Sequence, residues 1–200
     1  MNLFEMTKPT YYDNRSEFWK RHWEMAIPYD DFVESDPKTG KRWKDIAERL
    51  PLLTDDQLLR LQDYDRVVNV LMYGGVWCMD CARQGPIIRQ IADVCGNSVN
   101  LRIIDRDASE ELKDELRILG ATRVPIVVFL SEDFWEVDRF GDRTLTVYRA
   151  KAARDIGRGT DSGIMSPKAL QAQVDEWSDM FERVLIMLRL APPLRRRYND

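Results

Sequence analysis

The stretch Val67-Val68-Asn69-Val70-Leu71-Met72-Tyr73 does most to limit what this chain can become. It is rich in β-branched residues and nearly continuous in apolar ones, with no alternation of dry and wet positions. A strand of that kind is covered on both of its faces. The pair Cys78-Met79-Asp80-Cys81 follows it, and then a helical stretch in which Ile87, Ile88, Ile91, Val94 and Cys95 share one face. Pro86 inside that stretch predicts a kink, and Gly96-Asn97 ends it. A second strand is read over residues 99–105, and a charged helix over 109–119 closed by Gly120. Two more strands, 126–130 and 135–140, are joined by Ser131-Glu132-Asp133. Strands separated by helices must pair in parallel, whereas two strands joined by a tight turn must pair antiparallel. The fold class is therefore α/β, a mixed central sheet with helices on both faces.

The flanks read as helical additions. Phe18, Trp19, His22, Trp23 and Ala26 recur at helical spacing beside Tyr11, Tyr12 and Trp43. Asp36-Pro37-Lys38-Thr39-Gly40 reads as a turn. Thr54 and Gln57 form a capping-box pattern that opens a further helix. Ser166-Pro167 opens a long helix with an apolar face from Leu170 to Leu188, which Pro192-Pro193 stops. The expected organisation is an N-terminal helical extension over residues 1–60, a central domain over 61–155, and a loop, long helix and basic tail over 156–200.

Composition narrows the function classes. With 44% hydrophobic and 32% charged residues, the 200-residue chain has an ordinary globular make-up and length enough for its own core. A net charge of −4 argues against a nucleic-acid binder, and Arg195-Arg196-Arg197 reads as a solvated tail. No apolar run is long enough to span a membrane, and Met1–Met6 lacks the basic start and apolar core of a secretory signal. The expected compartment is the cytoplasm. Three cysteines do not make a disulfide framework, which directs attention to what Cys78 and Cys81 do.

A cysteine that opens a helix meets unpaired N–H groups and the positive end of the helix dipole, and both favour its thiolate. The second cysteine, one turn on, is placed to attack a mixed disulfide formed by the first. Cys78 is thus the expected nucleophile and Cys81 the resolving thiol. Asp80 between them should oppose the Cys78 thiolate if its carboxylate points that way. A structural zinc site needs four ligands, and only Cys95 and His22 stand available to complete one, so no metal is assigned. Cys95 reads as a small buried hydrophobe and His22 as a packing or surface residue.

Trp77-Cys78-Met79-Asp80-Cys81, placed between a buried strand and a helix containing proline, resembles the active site of the thioredoxin-like superfamily. Arg123-Val124-Pro125, just before a strand, is similar to that superfamily's cis-proline element, and Phe140-Gly141 to its glycine near the groove. The flanks look most like bacterial members of similar length that carry an N-terminal helical extension. The resemblance covers about residues 60 to 150. It implies a thioredoxin fold, a cis bond at Val124–Pro125, and substrate contacts through Trp77, Val124 and Pro125. It also implies thiol–disulfide exchange with disulfide-containing protein substrates and an external electron donor, and no cofactor. One departure stands out, because the superfamily's buried aspartate before the CxxC is Met72 here. Asp105 and Asp107 could replace it if the fold brings them close. The alternative reading is an interaction module that keeps the fold and binds a partner, or a second copy of itself, through the helical additions.

Overall fold

The computed structural model describes residues 13–161 and 163–199; Tyr11, Tyr12 and Met1–Met6 lie outside the described residues. Helix α1 (Ser16–Met25) leads into a two-residue strand β1 (Ile27–Pro28) and three helices, α2 (Tyr29–Glu34), α3 (Pro37–Ala47) and α4 (Asp55–Leu61). Strand β2 (Val68–Gly74), helix α5 (Met79–Cys95), strand β3 (Val99–Asp105) and helix α6 (Glu110–Glu115) follow. A small hairpin, β4 (Arg117–Ile118) and β5 (Ala121–Thr122), precedes β6 (Ile126–Leu130) and β7 (Glu136–Gly141). Helices α7 (Leu145–Ile156), α8 (Pro167–Leu190) and α9 (Pro192–Tyr198) complete the chain.

The main sheet has the order β1-β3-β2-β6-β7. β2 pairs in parallel with β3 and antiparallel with β6, and β6 pairs antiparallel with β7, so the mixed sheet expected from the element order is present. All seven residues of β2 are buried, and the reason lies in the pleat. Successive side chains point to opposite faces. Val68, Val70 and Met72 enter a core built with α2, α3, α5 and α8. Leu71 and Tyr73 enter a second core with Trp19 and Trp23 of α1 and Leu112 of α6. The remaining polar side chain, Asn69, is satisfied by donating to the Ser131 carbonyl at 3.1 Å and accepting from Asn100 at 3.1 Å.

The segment from α1 to α4 is part of this body. β1 extends the main sheet by pairing antiparallel with β3. Trp43 of α3 is fully buried, donates its indole N–H to the Val76 carbonyl at 2.8 Å, and lies against Gly85 of α5. A Cβ at residue 85 would stand 2.1 Å from the indole ring. His22 of α1 is also buried. Its Nδ1–H donates to the Phe18 carbonyl at 2.8 Å, and its Nε2 shares a hydrogen bond with the Ser109 hydroxyl at 2.9 Å. Ser109 in turn caps α6 by accepting from the Leu112 N–H.

Three local expectations are corrected, and one helix comes without an expectation. Residues 36–40 do not form a free-standing turn: Asp36 caps α3 by accepting from the Lys38 and Thr39 N–H groups, with Pro37 at the first helical position. The charged helix stops at Glu115, and Gly120 belongs to the turn of the β4–β5 hairpin, where Leu119 and Gly120 both have positive φ. Arg195–Arg197 are exposed, as a solvated run should be, but helical: they sit in α9, which Pro192-Pro193 opens, and Arg197 pairs with Asp133 at 3.1 Å. Helix α7 carries only Val147 and Ala150 as buried residues, too weak an apolar stripe to be visible in the sequence. Among the described residues no helix is long and apolar enough to cross a membrane.

Gly40 marks the tightest contact between α2 and α3, since a Cβ there would lie 2.0 Å from the Val33 carbonyl oxygen. Alanine improves helix propensity by about 1 kcal/mol, but a backbone atom cannot step aside as a side-chain tip can. We expect Gly40→Ala to cost about 1–3 kcal/mol net, as overpacking does. Urea unfolding followed by tryptophan fluorescence measures this, and a midpoint equal to or above wild type would contradict the contact.

Candidate active site

The site forms where β2 ends. Gly74 and Gly75 carry the chain out of the sheet, and Cys78 becomes the N-cap of α5. The Cys78 sulfur accepts from the Cys81 N–H at 3.4 Å, and the loop is closed by the Cys78 N–H donating to the Gly75 carbonyl at 3.0 Å. A bare Cα is needed at Gly75. A Cβ at Gly75 would strike the Trp77 indole at 2.6 Å, and one at Gly74 would touch the Cys81 sulfur at 3.4 Å.

The residues singled out in the sequence come together. Val124–Pro125 is a cis peptide, and Cys78 Sγ lies 3.7 Å from the Val124 carbonyl oxygen. Pro125 is buried and Val124 is half-buried. Trp77 is 46% exposed beside the dithiol, with the Arg106 guanidinium 4.6 Å from its ring centre. Both cysteines are free thiols, Cys78 half-buried and Cys81 buried. The third, Cys95, sits far along α5 on its buried face, and burial pushes its thiol up to about 12. Among the described residues no group of three or more His, Cys, Asp or Glu side chains is placed to hold a metal ion.

The two thiols of the pair differ in acidity. Cys78 is pulled down to about 6, first by the hydrogen bond from the Cys81 thiol, then by the Cys81 N–H and the Arg83 and Arg143 guanidinium charges, with burial working against them. Cys81 is pushed well above the usual thiol value, by burial first and then by the neighbouring Cys78. Its surroundings are apolar. Met72 lies directly across from Ile103 on β3, both fully buried, and both reach the space beside the Cys81 sulfur. The expected acidic substitutes behave differently from each other: Asp105 acts on Cys81 by charge, while Asp107 is paired with Arg106 and Lys113.

Asp80 does not oppose the thiolate as its sequence position suggests. Its carboxylate is engaged by Arg83 one turn on and by Arg143 at 2.8 Å. Arg143 also pairs with Asp142 at 2.8 Å, and Asp142, 2% exposed at its side chain, takes Arg123 at 3.2 Å and the Tyr148 hydroxyl. The Asp142 carbonyl accepts from Gln84 at 2.9 Å. These residues link the start of α5, the proline loop and the segment after β7, and sequence reasoning did not assign them. One signal could have found them, since an arginine stands beside each motif: Arg83 after Cys81, Arg123 before Val124-Pro125, and Arg143 after Phe140-Gly141-Asp142.

A proton balance follows for the pair. With Cys78 lowered and Cys81 raised, the pair gives up its first proton at Cys78 and holds the second on Cys81. The Cys81 thiol hydrogen bond is the largest cause of the low Cys78 value. Cys81→Ser keeps a donor and is expected to keep the midpoint close to 6, whereas Cys81→Ala is expected to raise it by about one unit or more. Alkylation rate against pH measures both, and equal midpoints in the two variants would refute the hydrogen bond.

Comparison with known proteins agrees with this architecture. The family model described as Thioredoxin matches residues 26–154. No curated protein matches the sequence. The crystal structure of a protein of unknown function from Pseudomonas aeruginosa is similar at 22% identity, covering 85% of this chain and 93% of that one with a TM-score of 0.57. An HIV epitope-scaffold structure is similar at 20% identity, covering 85% and 94% with a TM-score of 0.54. At such identities these two speak to the fold alone. The match spans more than half the chain, from β1 through α7, and takes in the dithiol, the cis-proline loop and the five-stranded sheet that holds them: this protein belongs to the thioredoxin family.

Proposed function

We propose that the protein is a thiol–disulfide oxidoreductase working as a protein disulfide reductase, with Cys78 as nucleophile and Cys81 as resolving thiol. The observation that carries this reading is the Cys78 sulfur at the N-terminus of α5, facing the Val124 carbonyl at 3.7 Å with its thiol lowered to about 6. A sulfur with that acidity is largely ionised at neutral pH and still nucleophilic, because the best attacking thiol has its pKa near ambient pH.

The electron balance is that of dithiol exchange. The Cys78 thiolate attacks one sulfur of a substrate disulfide, the substrate S–S bond breaks, and the leaving sulfur departs with the electron pair. Cys81 loses its proton and attacks the Cys78 sulfur, closing the Cys78–Cys81 disulfide and freeing the second substrate thiol. Two electrons have passed to the substrate, and an external dithiol donor returns the protein to its reduced form. In this reading an extended substrate segment lies along Val124, with Trp77 and Pro125 walling the groove. The partners are disulfide-containing proteins in a reducing cytoplasm.

One observation favours a second reading. Met72 and Ile103 give Cys81 an apolar pocket in place of a proton-accepting carboxylate, so resolution has less local help. A binding module that uses the fold without rapid turnover would tolerate that pocket. Insulin reduction with a dithiol donor separates the two. Wild type is expected to exceed Cys78→Ser by at least about tenfold, and Cys81→Ser is expected to accumulate disulfide-linked partners. A wild-type rate no better than Cys78→Ser defeats the reductase reading.

A further inference from the structure

On the Arg123 side of the dithiol the ion pairs hold more cations than carboxylates. Arg83, Arg123 and Arg143 stand against only Asp80 and Asp142, in one connected set of ion pairs. Ionised, Cys78 adds a negative charge next to Arg83 and Arg143 of this set. On the opposite rim the balance is separate: Arg106 pairs with Asp107 beside Trp77, and Asp105 acts on Cys81.

Attack on a disulfide moves that charge. Once Cys78 is bonded to substrate sulfur it is neutral, the electron pair has left with the departing sulfur, and the three arginines again outnumber their carboxylates. Arg143 is held by two carboxylates and Arg83 is mostly covered, so neither can turn far toward a ligand. Arg123 is different. It has a single ion pair at 3.2 Å, its side chain is 38% exposed, and its buried Nε–H has no acceptor, while Arg143 and the Tyr148 hydroxyl still hold Asp142 when the Arg123 guanidinium turns. It also directly precedes Val124, whose carbonyl faces Cys78.

We propose that this site selects disulfides carrying a carboxylate close to the sulfurs, such as those in acidic peptide segments, and that Arg123 recognises that carboxylate. The inference rests on the dithiol reading above and adds its substrate class. A carboxylate beside the attacked bond restores neutrality as the Cys78 charge is lost, whereas a cationic neighbour meets three guanidinium groups. Arg123 is a specificity residue here and takes no part in the sulfur chemistry itself.

The test uses the full chain, reduced beforehand and freed of donor, mixed with dithiodiglycolate as the anionic disulfide or cystamine as the cationic one. Stopped-flow fluorescence gives the two rate constants of oxidation, and their ratio is compared between variants so that intrinsic reactivity cancels. Arg123→Gln is expected to lower the anionic-to-cationic ratio about fivefold, the scale of one partly exposed charge pair. Arg123→Lys, which keeps the charge, is expected to lower it less than about twofold, and added salt is expected to shrink the wild-type preference. A ratio that Arg123→Gln leaves unchanged, or that Arg123→Lys lowers equally, overturns the proposal while leaving the reductase reading intact. If wild type reacts with neither disulfide faster than Cys78→Ser does, the dithiol reading fails and the proposal fails with it.

Discussion

The N–H of Cys81 points at the sulfur of Cys78 because a helix has just begun there, and most of the site's chemistry follows from that placement. The first turn of any α-helix has donors with no partner inside the helix. In α5 that turn is anchored by β2, whose seven residues are buried on both faces of the sheet and fix where the chain leaves it. The cap is a sulfur in place of the usual hydroxyl or carboxylate, so satisfying the helix and ionising the thiol are one event. Cys81 contributes both its N–H and its thiol hydrogen to the same sulfur. Shifting α5 by one residue along its own axis would put Met79 at the cap and remove the asymmetry between the two thiols.

Much of this frame was legible in the sequence. The continuous apolar run of β2, the helix behind the CxxC and the hairpin-linked β6 and β7 each follow from a periodicity or a turn signal that no tertiary contact overrides. The capping grammar was readable as well, at Thr54–Gln57 and at Ser166-Pro167. The same grammar stands at Asp36-Pro37, but with Gly40 three residues on the segment reads as a turn. In the structure Gly40 is a helical residue without a side chain because the Val33 carbonyl occupies that space. β1 offered nothing to read: two exposed residues become a strand only because β3 lies alongside them.

The ionic network beside Cys78 was illegible for another reason. The pairs that tie it together, Arg143 to Asp80 and Arg123 to Asp142, join residues far apart in sequence, and charge order along the chain does not say which arginine meets which carboxylate. Asp80 illustrates the difference. Read in sequence, it is a negative charge between two thiols. Read in space, it fastens Arg83 and Arg143, whose charges favour the Cys78 thiolate. Burial makes the arrangement demanding, since a carboxylate as covered as Asp142 is tolerated only with its partners in place. Gln84, reaching from α5 to the Asp142 carbonyl, ties the helix to the same residue by a neutral contact.

The seat of Trp43 on α5 carries a consequence for how sequences of this build can diverge. The indole fills the volume that a side chain at residue 85 would need, and its N–H holds the Val76 carbonyl in the loop just before the dithiol. Positions 43 and 85 are therefore not independent. A relative that gains a side chain at 85 must shrink the residue at 43, and with a smaller aromatic or aliphatic group it also forfeits the indole donor to the loop. Coupled substitution at these two sites, in an alignment of close relatives, would be the evolutionary trace of a contact that neither residue discloses alone.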